Sequence, residues 1–85
     1  MKSEIKVTVA LICEGNGKEF FGVYRSKQRA KDAMNLYMKN LQRESAFESD
    51  YPDIWNIEKY DNHTTVWKEE ISKKDIVFHF STYIV

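Results

Sequence analysis

The chain has 85 residues with 13 basic and 13 acidic side chains, no net charge at neutral pH, one cysteine, one proline, three glycines and 14% aromatic residues. That length allows one modest core and no second domain, and the even charge balance excludes a generic polycation of the kind that coats nucleic acid or an anionic membrane. Cys13 alone forms no internal disulfide, and nothing else in the chain supplies the spacing of a zinc site, which fits a reducing compartment.

The start, "MKSEIKVTVALIC", carries charges at positions 2, 4 and 6 and only a short apolar run. It matches neither a secretory signal nor a membrane span, so a soluble cytoplasmic protein is expected. Ile5, Val7, Val9, Leu11 and Cys13 alternate with Lys6 and Thr8, a period of two that predicts a strand. Ala10 and Ile12 predict that the far end of the second face is also covered. Cys13, at the end of this apolar run beside Glu14, reads as a buried structural cysteine, because a nucleophilic thiol needs a partner base.

The glycines of "EGNGK" flank Asn16 and predict a tight reversal, with "EFFGVY" pairing back as a hairpin strand. A phosphate loop is not matched, since the glycines are two apart and a strand follows instead of a helix. Gly22 predicts a bulge or a close approach of the helix.

Ser26 is a good N-cap, and Ala30, Ala33, Met34, Tyr37, Met38 and Leu41 recur at helical spacing. They predict a helix of roughly four to five turns with one buried stripe. Leu36 lies off that stripe. From Glu44 to Asp53 periodicity stops, and "ESAFESDYPD" predicts a loop pinned to the core by Phe47 and Tyr51.

The segments "IWNIEKY", "TVWKEEI" and "IVFHFSTYIV" are separated by the turns "DNHT" and "SKKD" and predict a meander of three strands. In the last, Ile76, Phe78, Phe80, Thr82 and Ile84 share one face, and Val77, His79, Ser81, Tyr83 and Val85 the other. His63 reads as a turn residue and His79 as a surface or half-buried one. The predicted fold over residues 1–85 is α+β, in the order β-β-α-β-β-β, an antiparallel sheet with one helix packed on one face. One helix cannot cover five strands. The far face, with some of Tyr24, Trp55, Tyr60, Trp67 and Tyr83, is expected to expose aromatic surface.

Gly22, Val23, Tyr24, Ser26, Ala30 and Ala33 in "FFGVYRSKQRAKDAM", followed by Ile57, Glu58 and Tyr60, form a pattern that resembles small, functionally uncharacterised bacterial and phage domains. Those domains carry a G-V-Y-x-S-x-x-x-A-x-x-A strand-to-helix junction and a later short I-E-x-Y strand. The resemblance covers about residues 5–60. It implies the same fold and a bacterial or phage source, and it implies no catalytic residue.

Charge is segregated along the chain. Residues 18–43 hold seven cations and two anions, and residues 44–62 hold one cation and six anions. Arg25, Lys27, Arg29 and Lys31 crowd the predicted helix start, where the macrodipole favours carboxylates, and no acidic residue completes a capping box. Those four cations, Leu36, and the acidic Glu48, Asp50 and Asp53 are the candidate partner-binding residues, with the basic cluster expected to face the acidic loop.

The carboxylates of this region follow no calcium-loop pattern, and neither a metal nor a cofactor is expected. With no catalytic constellation in view, the expected function is a small non-enzymatic protein-binding module. The resemblance extends this to a phage-encoded protein that binds and modulates a host bacterial protein in the host cytoplasm. The alternative is nucleic-acid binding through the basic helix start with sheet aromatics as stacking platforms. Either a monomer or a homodimer is compatible with the sequence, the latter through "FSTYIV" as an edge strand.

Overall fold

The computed structural model describes residues 5–15 and 17–84. Asn16 at the centre of the expected reversal, Val85, and the charged Lys2 and Glu4 lie outside the described residues. Five strands and one helix follow in the order β1 (Lys6–Glu14), β2 (Gly17–Tyr24), α1 (Lys27–Glu48), β3 (Trp55–Tyr60), β4 (Thr64–Glu69) and β5 (Asp75–Ile84). All strand pairs are antiparallel in one sheet of order β2-β1-β5-β4-β3. The fold is therefore α+β with one helix on one face, as the alternating patterns predict.

The last strand joins the two halves. β5 pairs with β1 over Ile76–Ile84 on one side and with β4 over Asp75–His79 on the other. It is thus internal over its first half, while the side towards β4 is a sheet edge over Ser81–Ile84. The helix carries the chain from β2 at one edge to β3 at the opposite edge, so it must cross the sheet.

Its buried stripe, Ala30, Met34 and Met38, lies on Ala10, Ile12, Ile76, Phe78 and Phe80, with Trp55 and Trp67 closing the β3–β4 end. Full burial of a side chain such as Phe78 or Phe80 contributes about 1.5 to 3 kcal/mol. Phe21 packs edge-on to Phe78 at 5.1 Å and to Tyr37 at 5.5 Å between ring centroids.

Local backbone features set this packing. Gly15 takes a positive φ of 72° in the β1–β2 turn, where Glu14 opposes Gly17. Between Ala10 and Leu11 the register shifts, so that Ala10 opposes Gly22, Leu11 opposes Phe20, and Phe21 is the extra residue of a bulge. The bulge turns both Phe21 and Tyr24 towards the helix. A Cβ on Gly22 would lie 2.5 Å from the Tyr24 hydroxyl; the close approach expected here comes from that ring, not from the helix.

Four expectations change. The helix covers the Thr8, Ala10 and Ile12 face of β1, leaving Val7, Val9, Leu11 and Cys13 half-buried on the other. Cys13 is accordingly not a buried core residue. The helix runs 22 residues to Glu48, beyond the expected end, because its last turns project past the sheet and need no buried stripe, only good helix formers such as Arg43, Glu44 and Ala46. Phe47 is 91% exposed and Tyr51 also faces solvent, so neither pins a loop to the core. Trp55 and Trp67 lie on the helix side of the sheet, Tyr24 packs against the core and Tyr60 faces the helix, so of the five expected aromatics only Tyr83 is exposed on the open face, where Phe20 joins it.

Polar contacts fasten the turns. The Asp61 carboxylate accepts from the backbone N–H groups of His63 and Thr64 at 2.8 and 2.7 Å, which holds its pKa below the usual range. Glu69 does the same in the β4–β5 turn, its pKa lowered by hydrogen bonds from the hydroxyl and N–H of Ser72. The Tyr37 hydroxyl donates to the Glu14 carboxylate at 2.6 Å, tying mid-helix to the end of β1. Burial, and then that carboxylate, push its pKa up to about 12. No helix among the described residues is long and apolar enough to cross a membrane.

The indole N–H groups of Trp55 and Trp67 and the Thr65 hydroxyl are buried without a hydrogen-bond partner. Replacing Thr65 with valine removes one such group, so Thr65→Val is expected to stabilise the fold by about 1 kcal/mol in urea denaturation. Folding favours the neutral form of Tyr37, a contribution present below the ordinary pKa of 10 and lost as pH rises through about 12. Ultraviolet titration of phenolate absorbance should show one tyrosine ionising near 12, and Tyr37→Phe should abolish that late step.

Candidate functional site

Ser26 caps the helix with extended backbone, φ −150° and ψ 160°, and its Oγ accepts from the Arg29 N–H at 3.2 Å. The cap fixes where the basic residues stand. Arg25 and Arg29 are exposed, whereas Lys27 and Lys31 are half-buried on the flank towards β3. Lys31 Nζ donates to the Tyr60 hydroxyl at 2.9 Å and lies 4.3 Å from the centre of its ring. Lys31 is therefore part of the architecture, pinning the first helical turns to β3.

The acidic group stands at the other end. Glu48 is the last helical residue, and Asp50 and Asp53 follow on the connection to β3. That connection is tied back to the helix, since the Asp53 N–H donates to Ser45 Oγ at 2.7 Å and the Ser49 N–H to the Ser45 carbonyl at 3.1 Å. Leu41, Glu44, Ser45, Glu48, Tyr51 and Asp53 line a shallow open depression there.

The expected meeting of basic and acidic clusters does not occur. Lys27 and Glu48 are separated by the whole helix, about 32 Å at 1.5 Å per residue. Among the described residues, ion pairs are confined to Lys68 with Glu58 at 3.3 Å and with Asp75 at 3.8 Å, on the opposite face of the sheet. The charge asymmetry of the sequence has become two poles.

Both poles oppose the helix macrodipole. The first turn has no acidic residue and the last no basic one. Between them the outward face carries Leu36, 60% exposed, and Phe47 eleven residues later, which falls on nearly the same side of the helix. Phe47 and Tyr51 were not expected in the site. The spacing from Leu36 to Phe47 was the available signal, masked by reading the helix as ending sooner.

The residues that could carry chemistry are not assembled. Cys13 and His79 are diagonal neighbours on the open face, because Leu11 opposes His79 and Cys13 opposes Val77. The Cys13 thiol lies 3.7 Å from the Gly15 carbonyl, to which it donates. His63 is exposed in the β3–β4 turn, where its carbonyl accepts from the Phe80 N–H at 2.7 Å. Among the described residues no group of three or more His, Cys, Asp and Glu side chains is placed to hold a metal ion. Comparison of the chain with protein-family models, with curated proteins and with solved structures finds no match.

The misplacement of charge against the dipole has a measurable consequence. Arg29→Glu would complete a capping box with Ser26, and Glu48→Lys would put a cation in the last turn. Each is expected to raise stability by about 0.3 to 1 kcal/mol at low ionic strength. Thermal unfolding should show the gain shrinking as salt is added.

Proposed function

We propose that the chain is a non-enzymatic protein-binding module whose contact surface is the outward face of α1 and its two charged ends. One observation carries this reading. Charges of opposite sign occupy the two helix ends against the macrodipole, with Leu36 and Phe47 exposed between them. A fold selected for stability alone would exchange them, and local rules broken without compensation are where function is found. The matching partner surface is elongated, acidic at one end, basic at the other and apolar between.

The resemblance of the strand-to-helix junction extends the proposal to a phage-encoded protein acting on a host bacterial protein. The nucleic-acid alternative is less well supported, because Trp55 and Trp67 are buried, Tyr60 is engaged by Lys31, and the acidic pole would repel phosphates.

The test is affinity capture from bacterial lysate with wild type beside three variants. One changes Arg25, Lys27 and Arg29 to Glu, the second changes Glu48, Asp50 and Asp53 to Lys, and the third combines Leu36→Ser with Phe47→Ser. A partner retained by wild type should be weakened at least about tenfold by each variant, with the charge variants acting most strongly at low salt. Absence of any stoichiometric partner, or one held equally by all variants, overturns the reading. Tight, salt-sensitive binding of oligonucleotides would favour the alternative.

A further inference from the structure

The sheet has a second face, and α1 covers only the first. In-register pairing places Val7, Val9, Leu11 and Cys13 of β1 on this open face, flanked by Phe20 and Val23 of β2 and by Val77 and Tyr83 of β5, with Val66 beyond. Phe20, Val23 and Tyr83 are 66%, 52% and 55% exposed. The middle of the face carries no charged side chain, only His79, Ser81 and Thr64 among the aliphatic residues. Charges stand at its margins: Lys18 on β2, and Glu58, Lys59, Lys68 and Asp75 together on β3, β4 and β5.

The area fits one kind of occupant. Four strands about 4.8 Å apart, each presenting roughly eight residues at ~3.3 Å, make a face of about 500 Å² in projection. Side-chain relief brings the accessible area towards the ~800 Å² per partner of a standard interface. The chain exposes 6437 Å², about 1100 Å² more than the ~5300 Å² expected for a compact monomer of 10.1 kDa. The projecting helix end, with Phe47, and the open face, with Phe20, Val23 and Tyr83, both contribute to that excess.

We propose that the open face binds a second copy of this chain, sheet against sheet, as a twofold dimer. A twofold axis running parallel to the strands, between β1 and β5, gives complementary contacts. It lays β1 of one copy over β5 of the other, so that Leu11 meets His79 and Cys13 meets Val77. It lays β2 over β4, so that the large Phe20 meets the smaller Thr64 and Val66. Lys18 of each copy then lies over Val66 of the other, at a margin where Glu58, Lys59, Lys68 and Asp75 together carry no net charge. The charged edge of β3 is left outside in water. The two sheets would enclose a core about 10 Å thick, like the two halves of a β-sandwich.

This surface is independent of the helix ends, so dimerisation and partner binding can fail separately. The arrangement makes a specific demand on Cys13, the chain's single cysteine. Its two copies stand at the same height on adjacent strands of facing sheets, with backbones about 11 Å apart from the strand and sheet spacings. A dimer about an axis perpendicular to the strands would carry them to opposite ends of the interface.

Sedimentation velocity on the full chain between about 10 and 200 µM should show a species of twice the chain mass, in line with a standard-sized interface. A short bismaleimide should join the two Cys13 thiols, and Cys13→Ser should prevent it. The double variant Phe20→Lys with Val23→Lys changes positions already more than half exposed, so its circular dichroism should match wild type. Its self-association should be at least about tenfold weaker and its cross-linking lost. A wild-type chain that stays monomeric across this range overturns the proposal. So does a dimer that survives Phe20→Lys with Val23→Lys, which would point to edge pairing through Ser81–Ile84, or a dimer in which Cys13 cannot be cross-linked.

Discussion

The packing of Phe78 and Phe80 beneath Met34 and Met38 is the contact on which the rest of the structure depends. Both phenylalanines stand on β5, the strand that holds the N-terminal hairpin to the C-terminal meander, and both are fully buried. Without a helix over that strand, the two halves would share only a ladder of backbone hydrogen bonds. Such a ladder adds little net stability unless apolar side chains leave water with it. The Phe21 bulge, the missing side chain at Gly22 that makes room for the Tyr24 ring, and the Tyr37–Glu14 hydrogen bond all serve the same closure, each bringing β1 or β2 up to the helix.

That closure also dictates what remains open. A crossover helix linking opposite edges of a five-stranded sheet passes over its middle on one side only, so half of the sheet's side chains have no cover within the chain. It also runs past the sheet, which is why its last turns are wet and carry Phe47 and Glu48 into solvent. The two candidate interaction surfaces, the charged outer face of the helix and the bare face of the sheet, are thus consequences of one topological fact. They point in opposite directions and can be occupied together.

Charge acts on a different scale from packing. The helix ends are exposed, so reversing the favourable arrangement of charge costs little relative to the core and is tolerated by the fold. What it changes is the external field. Two poles about 32 Å apart, the length of α1, can orient an approaching partner in a way that a neutral surface of the same shape cannot.

Periodicity determined much of this molecule. Alternation at β1 and β5, the glycines before β2, the Ser26 cap and the stripe from Ala30 to Leu41 were enough to read the element order and the α+β class, because each reflects a local geometry of period two or 3.6. The segregation of charge was equally legible, being a property of the chain itself. Three things were decided only by tertiary structure. Which face of β1 is covered could not be read, since Val7, Val9 and Leu11 look at least as core-like as Thr8, Ala10 and Ile12, and the choice follows from pairing with Phe78 and Phe80. The helix end was hidden because exposed turns carry no apolar stripe. The distance between the basic and acidic groups was fixed by that unseen length, which holds apart in space two segments that are neighbours in sequence.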